Sequence, residues 1–542
     1  MRTYDYIIVG AGSAGSVLAN RLSQDPKVSV LLLEAGPADR HFWIRVPIGY
    51  GKVFYDARFN WKYTTEPDPN LDGQTMYWPR GKVLGGSSSI NAMVYVRGHP
   101  NDFDEWGAIA PGWDWQTIAP LYRRIEDWGG GGERRGQGGP LRVTDVSDAV
   151  HPLCQSYLDA ARQAGFATNP DYNDTDMEGA CLYQITTRDG FRASAARAYL
   201  APASKRRNLH IRTRAFAEKV LMQDRRATGV QYRHKGATLT ATAGREVILC
   251  GGAINTPQLL QLSGIGPAQL LQSHGIPVVH DAPHVGENLQ DHLGLDVMFR
   301  STVPSLNQVL GPLPGKMQVG LQYLLRRSGP LSMSLNQGGG FVRALDGSQG
   351  PDTQLYFSPL SYSRAPEGTR PLMRPDPFAA FQLGYNPCKP TSKGYVRIAS
   401  PDPAQPPAMS GNYLDTEHDR SLTVAGFHLM RKLADMPALQ SVIETEFHPG
   451  PDVRTDDEIM DFARRNSWTV FHQCGTARMG ADPSGSVVDE RLRVHGIGGL
   501  RVADASVFPT IPTGNTNAPA ILTGEKASDL IREDAGLARH NV

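Results

Sequence analysis

Two short runs that are apolar at nearly every position stand close to the start of the chain. Residues 4–9 end in Ile7-Ile8-Val9, and residues 28–33 end in Leu31-Leu32-Leu33. Such runs predict strands buried on both faces, as in a parallel sheet, and SVLANRLS between them predicts the crossover helix. From 205 to 250 the pattern shifts to brief β-like runs (LHIRTR, ATGVQY, TLTATA, EVILC) cut by turn residues. Residues 310–450 mix prolines and aromatics with pieces such as TQLYFS, FQLGYN and GYVRIA, then a helical stretch near Ser421–Leu433. This predicts a β-rich second domain. After 456 come a helix, a glycine-rich segment, the strand GLRVADA and a last helix from about Ala518 to Ile531. Residues 37–80 lack a period and read as an ordered excursion or lid. Residues 129–139, GGGGERRGQGG, read as a mobile surface loop. The fold class expected is α/β, with two intertwined domains, since 542 residues exceed one simple core.

Composition narrows the functions. A net charge of +1 gives no electrostatic reason to bind nucleic acid. The five cysteines (Cys154, Cys181, Cys250, Cys388, Cys474) are scattered, with no CxxC spacing. Neither a disulfide frame nor a metal site is expected, and a reducing, cytoplasmic setting is. No apolar run of eighteen or more residues predicts a transmembrane segment, although peripheral association with the inner face of a membrane stays compatible with the sequence. SAGSVLA imitates a signal-peptide cleavage site, but it reads better as the first helix, because cleavage there would destroy the motif that follows.

That motif is Gly10-x-Gly12-x-x-Gly15 at the end of the first apolar run, with Glu34 at the end of the second. Glycines permit a tight turn, and the next helix then aims free N–H groups at a pyrophosphate. The acid is placed to hold a ribose hydroxyl pair. Four more segments carry chemistry: Gly81-Lys82-Val83-Leu84-Gly85-Gly86-Ser87-Ser88-Ser89-Ile90-Asn91; Gly252 to Gly266, GAINTPQLLQLSGIG; Val285 to His292, VGENLQDH; and Phe471 to Gly480, FHQCGTARMG, with Asp504-Ala505-Ser506 and Gly514-Asn515-Thr516-Asn517.

In this order and spacing the chain resembles the glucose–methanol–choline (GMC) flavin oxidoreductases from about residue 4 to 535, and among them the bacterial alcohol and choline dehydrogenases. The resemblance implies a Rossmann-like FAD-binding domain with a discontinuous β-sheet substrate-binding domain. The FAD domain is expected over 1–158, 208–308 and 460–536, and the substrate domain over 159–207 and 309–459. It further implies that Gly10, Gly12 and Gly15 face the pyrophosphate and Glu34 the ribose. Gly85, Gly86, Ser88, Asn91 and Ala92 would line the flavin, Ala217 would meet the adenine by its backbone, and Asp504, Ala505, Thr516 and Asn517 would complete the site.

His472 and Asn515 occupy the family's catalytic pair. A neutral imidazole suits proton abstraction from an alcohol, and a neutral amide can hydrogen-bond the developing alkoxide. His292 reads as a structural hydrogen-bonder. Two departures stand out: Gln473 where many members have Pro, and Ile90 where members with covalent flavin have His. FAD is therefore expected to be noncovalent. Leu335, Phe357, Trp468, Val470 and Phe471 are candidate pocket residues. The implied reaction is oxidation of a primary alcohol, with a quinone, another carrier or oxygen as electron acceptor. A choline-type substrate, a hydroxynitrile lyase and a catalytically silent flavin protein are the alternatives.

Overall fold

In the computed structural model, residues 3–364 and 373–537 are described. Two seven-stranded sheets organise the chain. The first has the strand order Leu209–Thr213, Val30–Glu34, Thr3–Val9, Ala237–Leu249, Arg226–His234 and Ala215–Gln223, and Leu500–Val502 joins it beside Ala237–Leu249. Its first four strands and Leu500–Val502 run parallel, and the remainder forms an antiparallel meander. Val30–Glu34 is buried at every position, as its unbroken apolar run requires.

The second sheet is antiparallel, in the order Ile443–His448, Leu293–Ser301, Ala380–Pro387, Thr353–Ser358, Gly338–Val342 and Gly179–Leu182. Trp468–Thr469 pairs with the start of Leu293–Ser301. One of its faces packs on the helices Leu153–Gln163 and Glu417–Ala434 to form a separate apolar core. Leu293–Ser301 pairs in this sheet although it lies inside the 208–308 segment expected for the cofactor domain.

The glycine-rich segment 129–139 is pinned. Buried Arg135 donates to Glu126 Oε2 at 2.9 Å and to Gln184 Oε1 at 3.1 Å, pairs with Asp171, and stacks over Trp128. Arg97 holds the other oxygen of Glu126 at 2.6 Å.

Candidate functional site

One large cavity of about 470 Å³ draws its wall from both sheets, from Val9 to Ala520. At one end the strand Thr3–Val9 stops at Gly10, whose φ of +100° only glycine adopts freely. A Cβ there would lie 2.3 Å from Cys250 O. Gly12 is in the wall, and a Cβ on it would meet nothing nearer than Cys250 O at 3.9 Å, so it would stand in the cavity. Gly15 is not in the wall. Its missing Cβ would sit 2.0 Å from Gly10 O, so Gly15 lets the helix close onto the turn rather than facing a pyrophosphate.

Three helices begin at the cavity: Ser13–Leu22, Gly252–Leu262 and Asn517–Asp534. Their unpaired N–H groups and aligned dipoles favour an anion. EVILCGGAINT repeats the strand–glycine–helix form of IIVGAGSAG, which is the sequence signal for the second of them. Ser13 Oγ donates to Asn517 Oδ1 at 2.7 Å and ties two of these starts together. Asp504 Oδ2 accepts from Gly252 N–H at 2.8 Å and from Thr256 Oγ1 at 2.6 Å, bracing the start of Gly252–Leu262.

Glu34 Oε2 accepts from Ala11 N–H at 3.0 Å and Oε1 from Gly36 N–H at 2.8 Å, leaving each oxygen a further lone pair. Burial pushes its carboxyl up to about 7. A buried acid, three helix starts and glycines without Cβ are a donor set that fits the ribose and pyrophosphate of FAD.

Gly10, Gly86, Asn91, Ala92, Ala217, Asp504, Ala505, Thr516 and Asn517 are all in the wall, as is Ile90. Gly85 and Ser88 are not. Gly85 N–H donates to Ala11 O at 2.7 Å. Ser88 Oγ donates to Gly85 O at 2.6 Å and accepts from Ala195 N–H at 3.0 Å. The turn Gly86–Ser89 is a 3₁₀ helix, in which successive side chains diverge by about 120°. Only Ser87 of the three serines turns to the cavity.

At the other end stand His472 and Asn515, and their hydrogen bonds have one consistent direction. His292 Nε2 lies 2.9 Å from Cys388 O, which can only accept, so Nε2 carries the proton. Burial pushes His292 down to about 4, so the ring is neutral and its Nδ1 accepts. His472 Nδ1–H therefore donates to His292 Nδ1 at 2.9 Å. Burial, then the neighbouring His292 and Arg80, hold His472 well below the usual histidine range. Its Nε2 is left as a bare lone pair, which accepts from Asn515 Nδ2 at 3.0 Å. Asn515 Oδ1 in turn accepts from Gln354 Nε2 at 3.2 Å. His292 is a buried hydrogen-bonder, as its sequence setting suggests, and one of its partners is the proposed base itself.

Asp291, to which the sequence motifs assign no role, sets the turn that carries His472. It accepts from His472 N–H at 2.8 Å, Gln473 Nε2 at 2.6 Å, Tyr413 OH at 2.6 Å and the Thr469 hydroxyl. Gln473, standing where many relatives have Pro, uses its extra polar group here. Phe471 precedes the base at φ +68°. Arg80, half-buried in the wall, donates to Phe471 O. Leu335, Trp468, Val470 and Phe471 also line the cavity. Phe357 does not: it stacks on Tyr157 at 5.0 Å in the second core. Side chains alternate along Thr353–Ser358, so its neighbour Tyr356 takes the cavity side. Asp296 also lines the cavity and was missed, as was Gln354.

A family model described as GMC oxidoreductase matches residues 4–294, and a second model of the same description matches 390–524. An alcohol dehydrogenase [acceptor] of Pseudomonas putida is 40% identical over 99% of this chain and 97% of its own. An oxygen-dependent choline dehydrogenase of Photobacterium profundum is 40% identical over 100% of this chain and 95% of its own. Among solved structures, pyridoxine 4-oxidase from Mesorbium loti superposes with a TM-score of 0.88 at 30% identity, covering 99% of this chain and 100% of that one.

Proposed function

The chain belongs to the GMC oxidoreductase family, and from that premise we propose that it oxidises a primary alcohol to the aldehyde with noncovalently bound FAD. The observation that carries this reading is the lone pair on His472 Nε2, set beside Asn515 Nδ2 at 3.0 Å in the cavity. Bound FAD would supply the two-electron acceptor for the hydride leaving the carbinol carbon. His472 Nε2 takes the hydroxyl proton. Asn515 Nδ2 donates to the same oxygen as negative charge develops on it. The Nδ1 bond to His292 holds the ring in the tautomer that keeps Nε2 unprotonated. Gly12, Glu34, Asp504 and the three helix starts would hold the cofactor. Ile90 in the wall supports a noncovalent flavin, because an isoleucine offers no atom for a covalent link, and His472 is the only histidine among the described wall residues.

We favour an acceptor-linked dehydrogenase over an oxidase, as the Pseudomonas relative's name suggests. A choline-type substrate is the second reading. Asp296 places a carboxylate in a wall that also holds Tyr356 and Trp468, and carboxylate plus aromatics suits a quaternary ammonium. A hydroxynitrile lyase is not favoured, since the matched relatives are named dehydrogenases.

The test is anaerobic mixing of the purified yellow protein with linear alcohols, benzylic alcohols and choline, followed by a quinone or oxygen. Flavin bleaching with an alcohol, and recovery with the quinone faster than with oxygen, is expected. Absence of bleaching with every alcohol sinks the redox reading. Bleaching by choline alone, lost in Asp296→Asn, replaces the primary reading with the second. Acid precipitation should release the whole flavin, and colour left in the pellet overturns the noncovalent assignment.

A further inference from the structure

Away from the cavity, the fourteen-residue helix Leu313–Arg326 buries only Val319 and Tyr323. Its outer side carries Leu313, Met317, Leu321, Leu324 and Leu325, each between 57% and 74% exposed. These are five of the eight large hydrophobic side chains exposed among the described residues. At about 100° per residue they fall within one arc of roughly 120°, opposite the buried side, and no charged residue lies in that arc. Exposed apolar residues on a water-soluble surface are normally scattered singly, so a contiguous face marks a contact.

The charge around the helix indicates what it contacts. Between Asp296 and Asp346 the sequence has no acid, and the helix and the residue after it carry Lys316, Arg326 and Arg327. Exposed Lys316 lies about 60° beyond one edge of that arc, and Arg326, on the Val319 side, ends the helix with Arg327 directly after it. Arg45 joins them, since it and Arg327 stand over the same Phe191 ring at 5.6 and 4.9 Å. The one acid on the adjoining hairpin is Asp189, next to Gly190, whose carbonyl receives the Tyr323 hydroxyl. An apolar stripe with cations beside it and at the end of its helix suits the boundary between headgroups and acyl chains of an anionic bilayer. A second copy of the chain suits it less. Standard interfaces take about 20–30 residues a side, far more than this face offers, and self-pairing would set its cations against their own kind. No described helix is long and apolar enough to cross a membrane, so the contact is one of lying on the surface.

We propose that Leu313–Arg326 docks the protein on an anionic lipid surface. The turn Pro330–Ser332 follows the helix, and the chain then enters the cavity wall at Leu335, whose N–H donates to the Tyr50 hydroxyl at 3.3 Å. Docking therefore brings that wall towards the bilayer. The inference does not depend on the activity proposed above.

The test is flotation of the full-length, FAD-loaded protein with phosphatidylcholine vesicles, with and without phosphatidylglycerol. Binding should be stronger on the anionic vesicles. The variant Leu321→Gln/Leu324→Gln/Leu325→Gln should bind them roughly tenfold or more weakly. Neutralising Arg326 and Arg327 should cost about fivefold per charge. Circular dichroism and turnover with a soluble dye should stay unchanged in both variants, which separates lost docking from lost folding. Absence of wild-type flotation, or flotation indifferent to the three glutamines, overturns the proposal. So does a concentration-dependent dimer in sedimentation that the same variant dissolves, since a second copy would then cover the face.

Discussion

Asn515, His472 and His292 share a single hydrogen-bond direction, and reversing any one donor would put a proton on the atom that must accept one. Removing the base should therefore cost more than removing its neighbours. His472→Ala is expected to keep FAD and to lose about 10²–10⁴-fold in the rate of flavin reduction. Asn515→Ala should lose about 10²–10³-fold. Stopped-flow reduction with saturating alcohol reads both, and a near-normal rate in the His472 variant would remove it from the chemistry. The pH dependence follows from the sign of the shift. A base works only unprotonated, and burial holds His472 well below the ordinary histidine value, so the wild-type rate should stay level as pH falls through the normal histidine range. His292→Ala removes one of the groups that depress His472 and opens space for water. Its rate should fall away at a higher pH than in the wild type, and identical profiles would contradict the assigned coupling. The motifs singled out His472, Asn515 and Glu34, because Glu34 closes an apolar run, His472 opens HQCGT and Asn515 stands in GNTN. Asp291 and Gln354 were not legible. Their roles come from contacts made 181 and 161 positions away in the chain, which local spacing does not encode.

Among the elements, Thr3–Val9 and Val30–Glu34 could be read from pattern alone, because burial in a parallel sheet forces an apolar run, whereas the partly exposed Ala215–Gln223 was not read and Ala237–Leu249 was read as two runs. The face of a strand was harder to read. Thr353–Ser358 is buried at all six positions, so nothing in its composition separates Tyr356, on the cavity side, from Phe357, in the second core. The 3₁₀ turn hid the choice among Ser87, Ser88 and Ser89 in a similar way. At 129–139 the surface loop read from composition is largely exposed, and its glycines suggested mobility, yet Arg135 within it and Glu126 are both shut off from solvent, and a cation removed from a buried pair leaves an uncompensated charge. Arg135→Ala should therefore lower stability by about 3–5 kcal/mol, with the remaining Arg97–Glu126 pair holding the loss toward the lower figure. The urea midpoint of unfolding measures this, and a change under ~0.5 kcal/mol, usual for a surface site, would return the segment to the status of a free loop.

At the scale of the whole molecule, the cavity joins pieces of chain that are remote in sequence, from Val9 and Glu34 to Asp504 and Asn517. A ligand bound across them should stabilise the entire fold, by about 2.7 kcal/mol at a hundredfold excess over its dissociation constant. Glu34→Ala removes a charged acceptor from that contact. It should raise the FAD dissociation constant roughly ten- to a hundredfold, at about 1.5–3 kcal/mol per charge-assisted bond, while leaving the reduction rate per bound flavin nearly intact. Titrating the apoprotein with FAD, followed by single-turnover reduction, separates the two effects, and unchanged affinity with a collapsed rate would take Glu34 away from the ribose. The same remoteness has a consequence for biosynthesis. The strand Thr3–Val9 lies beside Val30–Glu34 and Ala237–Leu249, and Asp504 and Asn517 are among the last parts of the wall to be made. At about 5–20 residues per second, the ribosome needs roughly half a minute to a minute and a half to travel from Glu34 to the far wall. Throughout that interval the nascent chain carries apolar strands with no finished pocket beside them, so cofactor capture is a late event and FAD cannot shield those strands during synthesis.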